Sequence, residues 1–127
     1  MLQQMKYLGL DYGTKRIGVA ISDGEGRVAF PLATVAAGAR ALSEVDALVQ
    51  KNGAQQIVLG ESRDFAGAEN AVQEDIGQFK KDLEELSSLP VVYEPEFMTS
   101  VQAQRSGGDD SSAAALILQS YLDKMNR

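Results

Sequence analysis

Leu8-Gly9-Leu10-Asp11-Tyr12-Gly13-Thr14-Lys15-Arg16-Ile17-Gly18-Val19-Ala20-Ile21-Ser22-Asp23 is the stretch that decides the reading of this 127-residue chain. It opens in Tyr7–Asp11, a short apolar run that ends in a carboxylate, and Tyr12-Gly13-Thr14 follows as a turn. Ile17–Ser22 is a second β run, and Asp23-Gly24-Glu25-Gly26 is a strong hairpin signal. Val28-Ala29-Phe30 then reads as a third strand, closed by Pro31. Three strands joined by tight turns predict an antiparallel meander.

Beyond the meander the apolar period changes. Leu42, Val45, Leu48 and Val49 recur at helical spacing over Ala41–Asn52, and Asn52-Gly53 is a C-terminal stop. Gln56–Gly60 reads as a buried strand. After a polar loop, Val72, Ile76, Phe79, Leu83 and Leu86 form one apolar face on an otherwise charged helix. Leu89–Tyr93 is the last strand. From Ser111 a final helix carries Ala114, Ile117, Leu118, Tyr121, Leu122 and Met125 on one stripe. The order β-β-β-α-β-α-β-α predicts an α/β fold, a mixed five-stranded sheet flanked by helices within one domain over residues 1–127. Right-handed crossovers make the fourth and fifth strands parallel to the first. Arg105–Asp110 is expected to be a mobile loop.

Composition narrows the chemistry. Cysteine and histidine are both absent, which excludes disulfides, thiolate metal sites and any Ser-His-Asp or Cys-His machinery. A metal in this chain must be held by oxygen, which favours hard cations such as magnesium or manganese. The formal charge of −6 lacks the basic footprint of a generic nucleic-acid binder. That acidity is either a metal site, which two divalent ions would largely neutralise, or a solvated acidic surface. No apolar run approaches the roughly 20 residues of a membrane span, and no signal sequence is evident, so no membrane partner and a cytoplasmic location are expected.

In α/β sheets, sites form beyond the carboxyl ends of parallel strands. Asp11 ends the first strand, Glu61 follows the fourth, Glu94 and Glu96 follow the fifth, and Asp109-Asp110 precedes the last helix. Acids from separate segments converging on one edge are what a hard-cation site needs. Two-metal phosphodiester hydrolysis fits: one ion lowers the pKa of a water, the other stabilises the leaving oxygen, and carboxylates hold the pair about 4 Å apart. Lys15 or Arg16 is placed to reach a phosphate oxygen. Each acid also has an ordinary reading. Asp11 suits a turn, Asp110 suits a helix N-cap, and Glu94, flanked by Pro95, suits a solvated loop. Lys80 and Lys81 suit the polar face of their helix.

The segment Leu8–Asp23 resembles the opening signature of the YqgF-like family, also named RuvX-type Holliday junction resolvases or pre-16S ribosomal RNA nucleases. Pro31-Leu32, Val58-Leu59-Gly60, Gly67 and Asp110-Ser111-Ser112-Ala113-Ala114 fit the family's order, so the resemblance covers nearly the whole chain. It implies a ribonuclease-H-like fold and metal-dependent cleavage of nucleic acid, either structured RNA such as a ribosomal RNA precursor or branched DNA. Asp11 matches the family's first acid, Glu96 the glutamate of its Asp-Glu-Arg-x-Thr-Thr motif, and Asp110 the acid opening the last helix. Thr99 matches a motif threonine, and Arg105 is the cation left in a loop that carries lysines in relatives. Pro95 and Phe97 stand where the motif has Asp and Arg. Glu61, where relatives have an apolar residue, is expected to supplement or replace Glu96 as a ligand, because related resolvases place an acid there. Junction cleavage calls for a symmetric dimer, and monomer and homodimer both stay open. The alternative to a nuclease is a degenerate nucleic-acid- or protein-binding module of the same fold.

Overall fold

The computed structural model describes residues 5–62, 69–96 and 110–126. Three strands come first: β1 (Tyr7–Tyr12), β2 (Arg16–Ser22) and β3 (Ala29–Ala36). The crossovers follow as α1 (Ala41–Asn52), β4 (Gln56–Ser62), α2 (Glu69–Ser87), β5 (Val91–Glu96) and α3 (Asp110–Met125). The sheet order is β3-β2-β1-β4-β5. β1 pairs antiparallel with β2 and parallel with β4, and β4 pairs parallel with β5. The carboxyl ends of β1, β4 and β5 therefore share one edge, as right-handed crossovers require.

Side-chain alternation along each strand separates two cores. Leu8, Leu10, Ile17, Val19, Ile57, Leu59 and Val91 pack with Val45 and Val49 of α1 and with Ile76 and Leu83 of α2. Tyr7, Ala20 and Val58 face the opposite way and pack against Ala114, Ile117, Leu118 and Leu122 of α3. Each large side chain so buried contributes about 1.5–3 kcal/mol. Helix α1 stops at Gly53, whose φ of 68° is left-handed and whose N–H donates to the Gln50 carbonyl. Glycine takes that conformation without the steric cost of a Cβ.

Several expectations need correction. Pro31 does not close β3; the strand runs on to Ala36. It tolerates Pro31 because it is an edge strand, and the pairing shifts register between Val19 and Ala20, leaving Leu32 as an extra residue. Tyr12 belongs to β1 rather than to a turn, and its ring lies 5.3 Å from that of Phe79. β5 starts at Val91, after Pro90, and continues through Pro95 on the other edge of the sheet. Leu86 and Met125 end their stripes but are exposed, at 48% and 58%. Residues 105–109, expected as a mobile loop, lie outside the described residues. No helix among the described residues is long and apolar enough to cross a membrane.

Candidate functional site

Glycine spacing on one face of the sheet positions the acids. Gly9, Gly18 and Gly60 lie on β1, β2 and β4 beneath α3. A Cβ on Gly9 would sit 2.7 Å from the Leu118 Cβ, and one on Gly60 would sit 2.5 Å from the Ile117 Cδ1. A Cβ on Gly18 would run into the backbone carbonyl of Asp110. The first turn of α3 thus rests directly on β2, at a distance that only a residue without a side chain allows.

Asp11 stands directly opposite Gly18 in the β1–β2 ladder. Paired residues of an antiparallel ladder project from the same face, so half-buried Asp11 shares the α3 face with Asp110. The two carboxylates are 99 positions apart in sequence. Asp110 opens α3, where the positive end of the helix dipole favours a negative charge. It also accepts a hydrogen bond from Arg16 Nε at 2.7 Å.

The other candidates are placed as follows. Glu61 is paired with Pro95, and Glu96 ends β5 opposite Ser62; the backbone alone is described at positions 61 and 96. Strand alternation puts position 96 in phase with Val92 and Glu94, and position 61 in phase with Ile57 and Leu59. Lys15 is exposed in the β1–β2 turn, where its carbonyl accepts the Ala37 N–H. Thr99 and Arg105 lie outside the described residues. Among the described residues no three acids stand close enough together to hold a metal ion. Asp11 and Asp110, which share the α3 face, offer only oxygen donors, and Asp110 already pairs with the Arg16 guanidinium. Those features suit a hard divalent cation.

Glu94 is not the solvated loop acid its sequence setting predicts. It lies within β5, 2% exposed, and its Oε2 accepts from Lys124 Nζ at 2.7 Å and Ser120 Oγ at 2.9 Å. A carboxylate this buried needs such partners. Here they fasten the far half of α3 to the edge strand. Lys80 is also more than a solvated charge: it pairs with Glu84 at 3.2 Å and stands 5.7 Å from the centre of the Tyr93 ring.

Sequence reasoning passed over the glycines and the Arg16–Asp110 and Glu94–Lys124 pairs. The glycines carried a usable signal, since glycine inside a strand often marks a close backbone approach. The ion pairs span 94 and 30 positions, and no local pattern reports them.

Comparison with known proteins agrees with this architecture. In solved structures, the chain superposes on RuvC from Thermus thermophilus in complex with a Holliday junction substrate at a TM-score of 0.64. That match has 12% identity and covers 96% of each chain. The fowlpox virus Holliday junction resolvase gives a TM-score of 0.59 with 14% identity, over 94% of this chain and 99% of that one. At these identities the likeness establishes the ribonuclease-H-like fold. By sequence, the chain is 36% identical to a Bacillus pumilus protein named "Putative pre-16S rRNA nuclease", over 96% of this chain and all of that one. It is 33% identical to one of the same name from Oleidesulfovibrio alaskensis, over 94% and 92%. The model of the RuvX family, described as Holliday junction resolvase, matches residues 5–124. With that span and those relatives, the chain belongs to the RuvX family of Holliday junction resolvases, a family of nucleases.

Proposed function

We propose that this chain is a divalent-metal-dependent nuclease that hydrolyses phosphodiester bonds in structured RNA, such as a ribosomal RNA precursor, or in branched DNA. The observation that carries the reading is the seating of α3 on Gly18, with Asp11 and Asp110 on one face at the carboxyl edge of the sheet. Asp11 is assigned as the central ligand, Asp110 as the second and Glu96 as the third, in phase with the α3 face. Glu61 is out of phase with that face, which favours Glu96 for the third place. Two magnesium or manganese ions held there would activate the attacking water and stabilise charge at the leaving oxygen. The protein's own part is to fix carboxylate oxygens on a strand end and a helix start, two rigid elements. Lys15, exposed in the β1–β2 turn, would meet a phosphate oxygen, with Arg16, Thr99 and Arg105 as further contacts to the nucleic acid. The domain spans residues 1–127, works in the cytoplasm, and acts as a monomer on RNA or as a homodimer on a junction.

The names of the relatives support the RNA substrate, and the shared fold with resolvases supports the junction. A second reading, a binding module with a degenerate site, is favoured by Pro95 and Phe97 at the family's motif positions and by the formal charge of −6. One assay separates the two. A labelled four-way DNA junction and a structured RNA with a single-stranded 5′ extension are incubated with manganese, then with magnesium, with Asp11→Asn as control. Metal-dependent cutting that disappears in Asp11→Asn is the expected result, and the substrate cut names the class. Folded wild-type protein that cuts neither would establish the binding module instead. Within the ligand set, Glu96→Gln is expected to weaken manganese binding and Glu61→Gln to leave it unchanged; the reverse would exchange their roles.

A further inference from the structure

The Arg16–Asp110 contact sits where two demands meet. Arg16 opens β2 beside the turn that carries Lys15, and its side chain is 60% exposed; that of Asp110 is 31% exposed. One nitrogen, Nε, makes the 2.7 Å contact, and a guanidinium has further N–H donors in a rigid fork suited to phosphate. A surface pair of this exposure is held weakly. A divalent cation carries twice the charge of the guanidinium and draws on Asp11 as well as Asp110, so it displaces Arg16 from the carboxylate.

We propose that Arg16 is a displaceable counter-ion. It holds the Asp110 carboxylate when no metal is bound, and entry of a divalent cation releases it toward the nucleic-acid backbone. The inference rests on the reading of Asp110 as a metal ligand and adds a consequence to it. Metal loading frees a cation for phosphate, and phosphate captures the cation that competes with metal. Linkage makes the coupling reciprocal: metal strengthens nucleic-acid binding by the same factor that nucleic acid strengthens metal binding.

The test is calorimetric titration of manganese into wild type, Arg16→Ala, Arg16→Gln, Lys15→Ala, Asp110→Asn and the double variant Arg16→Ala/Asp110→Asn. Thermal melts of each verify folding, and Arg16→Gln keeps most of the side-chain bulk should Arg16→Ala melt early. Removing the competitor is expected to tighten manganese binding about two- to fivefold, the range a surface pair supports. Lys15→Ala, the same charge lost from the adjoining position, is expected to give less than half that change. Asp110→Asn weakens binding more than about tenfold, and adding Arg16→Ala to it brings no recovery. A second readout is binding of a labelled DNA duplex with and without calcium: wild type gains affinity with the ion and Arg16→Gln does not.

Arg16 variants that bind manganese no more tightly, alongside a weakened Asp110→Asn, would overturn the counter-ion role and leave Asp110 a ligand. Equal tightening by Lys15→Ala would overturn it too, by reducing the effect to the general field. An unaltered Asp110→Asn would instead remove Asp110 from the ligand set and the counter-ion role with it.

Discussion

The two faces of the sheet are built on opposite principles. Against α1 and α2, large aliphatic side chains from every strand interlock, with Leu8, Leu10, Ile17, Val19, Ile57, Leu59 and Leu83 all fully buried. Against α3 the strands offer glycine at positions 9, 18 and 60, and the helix comes down almost onto the backbone. The first face holds its helices off by the depth of its side chains. The second gives up that apolar volume and gains position: Asp110 is set beside Asp11, and Glu94 is buried beneath Lys124. One face supplies most of the folding energy, and the other holds the carboxylates in register.

Substitutions on each face test this division. The largest effect is expected at Leu59, fully buried on the α1/α2 face. Leu59→Ala should destabilise by about 2–5 kcal/mol in chemical denaturation, while the folded protein binds manganese within about twofold of wild type. A large loss of metal affinity there would break the division. Gly18→Ala should do the opposite. Its stability loss is smaller, about 1–3 kcal/mol for overpacking, but displacement of the first turn of α3 should remove manganese binding and cleavage together. Normal binding by Gly18→Ala would show that seating α3 on β2 is not what assembles the site.

A smaller effect is expected where α3 is fastened to β5. Lys124→Met leaves the Glu94 carboxylate with Ser120 as its partner among the described residues and should cost about 1–2 kcal/mol, the lower part of the range for an orphaned buried acceptor. Adding Glu94→Gln, which removes the charge and keeps an acceptor, should recover part of that loss. No recovery would mean that Lys124 acts through its aliphatic stem rather than its charge.

The smallest effect lies at the turn of the β2–β3 hairpin, where Gln119 and Asn126 near the end of α3 donate to the Arg27 and Gly26 carbonyls. The Asp23 carboxylate accepts the Arg27 N–H at 2.8 Å, and that bond, with a weaker one from Val28 at 3.3 Å, holds its pKa below the ordinary value. A carboxyl whose pKa is depressed by folding stabilises the fold above its unfolded pKa and loses that contribution as pH falls through the folded value. The Tm advantage of wild type over Asp23→Asn should therefore shrink as pH falls below about 4, the ordinary range of an aspartate. A gap that does not change with pH would assign the effect to hydrogen-bond geometry rather than charge.

How far the sequence could be read follows the same division. Apolar periodicity is local, so the meander, both crossovers and the α1/α2 core were legible, down to the Asn52-Gly53 stop. The errors cluster at the edges and on the α3 face. Pro31 looked like a strand end and Pro95 like part of a loop because proline cannot donate to a ladder, yet both lie in strands that border only one neighbour. Glu94 looked solvated because its partners are on α3, and Met125 looked buried because helical spacing does not say where the sheet ends. Asp11 and Asp110 were legible as candidates from their places at a strand end and a helix start. Their convergence on one edge was expected as well; the seating that achieves it was not, since it depends on a glycine between them in sequence whose use becomes visible only when α3 lies on it.

The central claim is that Asp11 and Asp110 hold a divalent cation between the end of β1 and the start of α3. Anomalous scattering from a crystal of this protein grown with manganese tests it most directly. The account predicts a manganese peak between the two carboxylates, with Arg16 turned away from Asp110. A crystal with manganese bound elsewhere, or with Arg16 still on Asp110 and no peak beside Asp11, would contradict it.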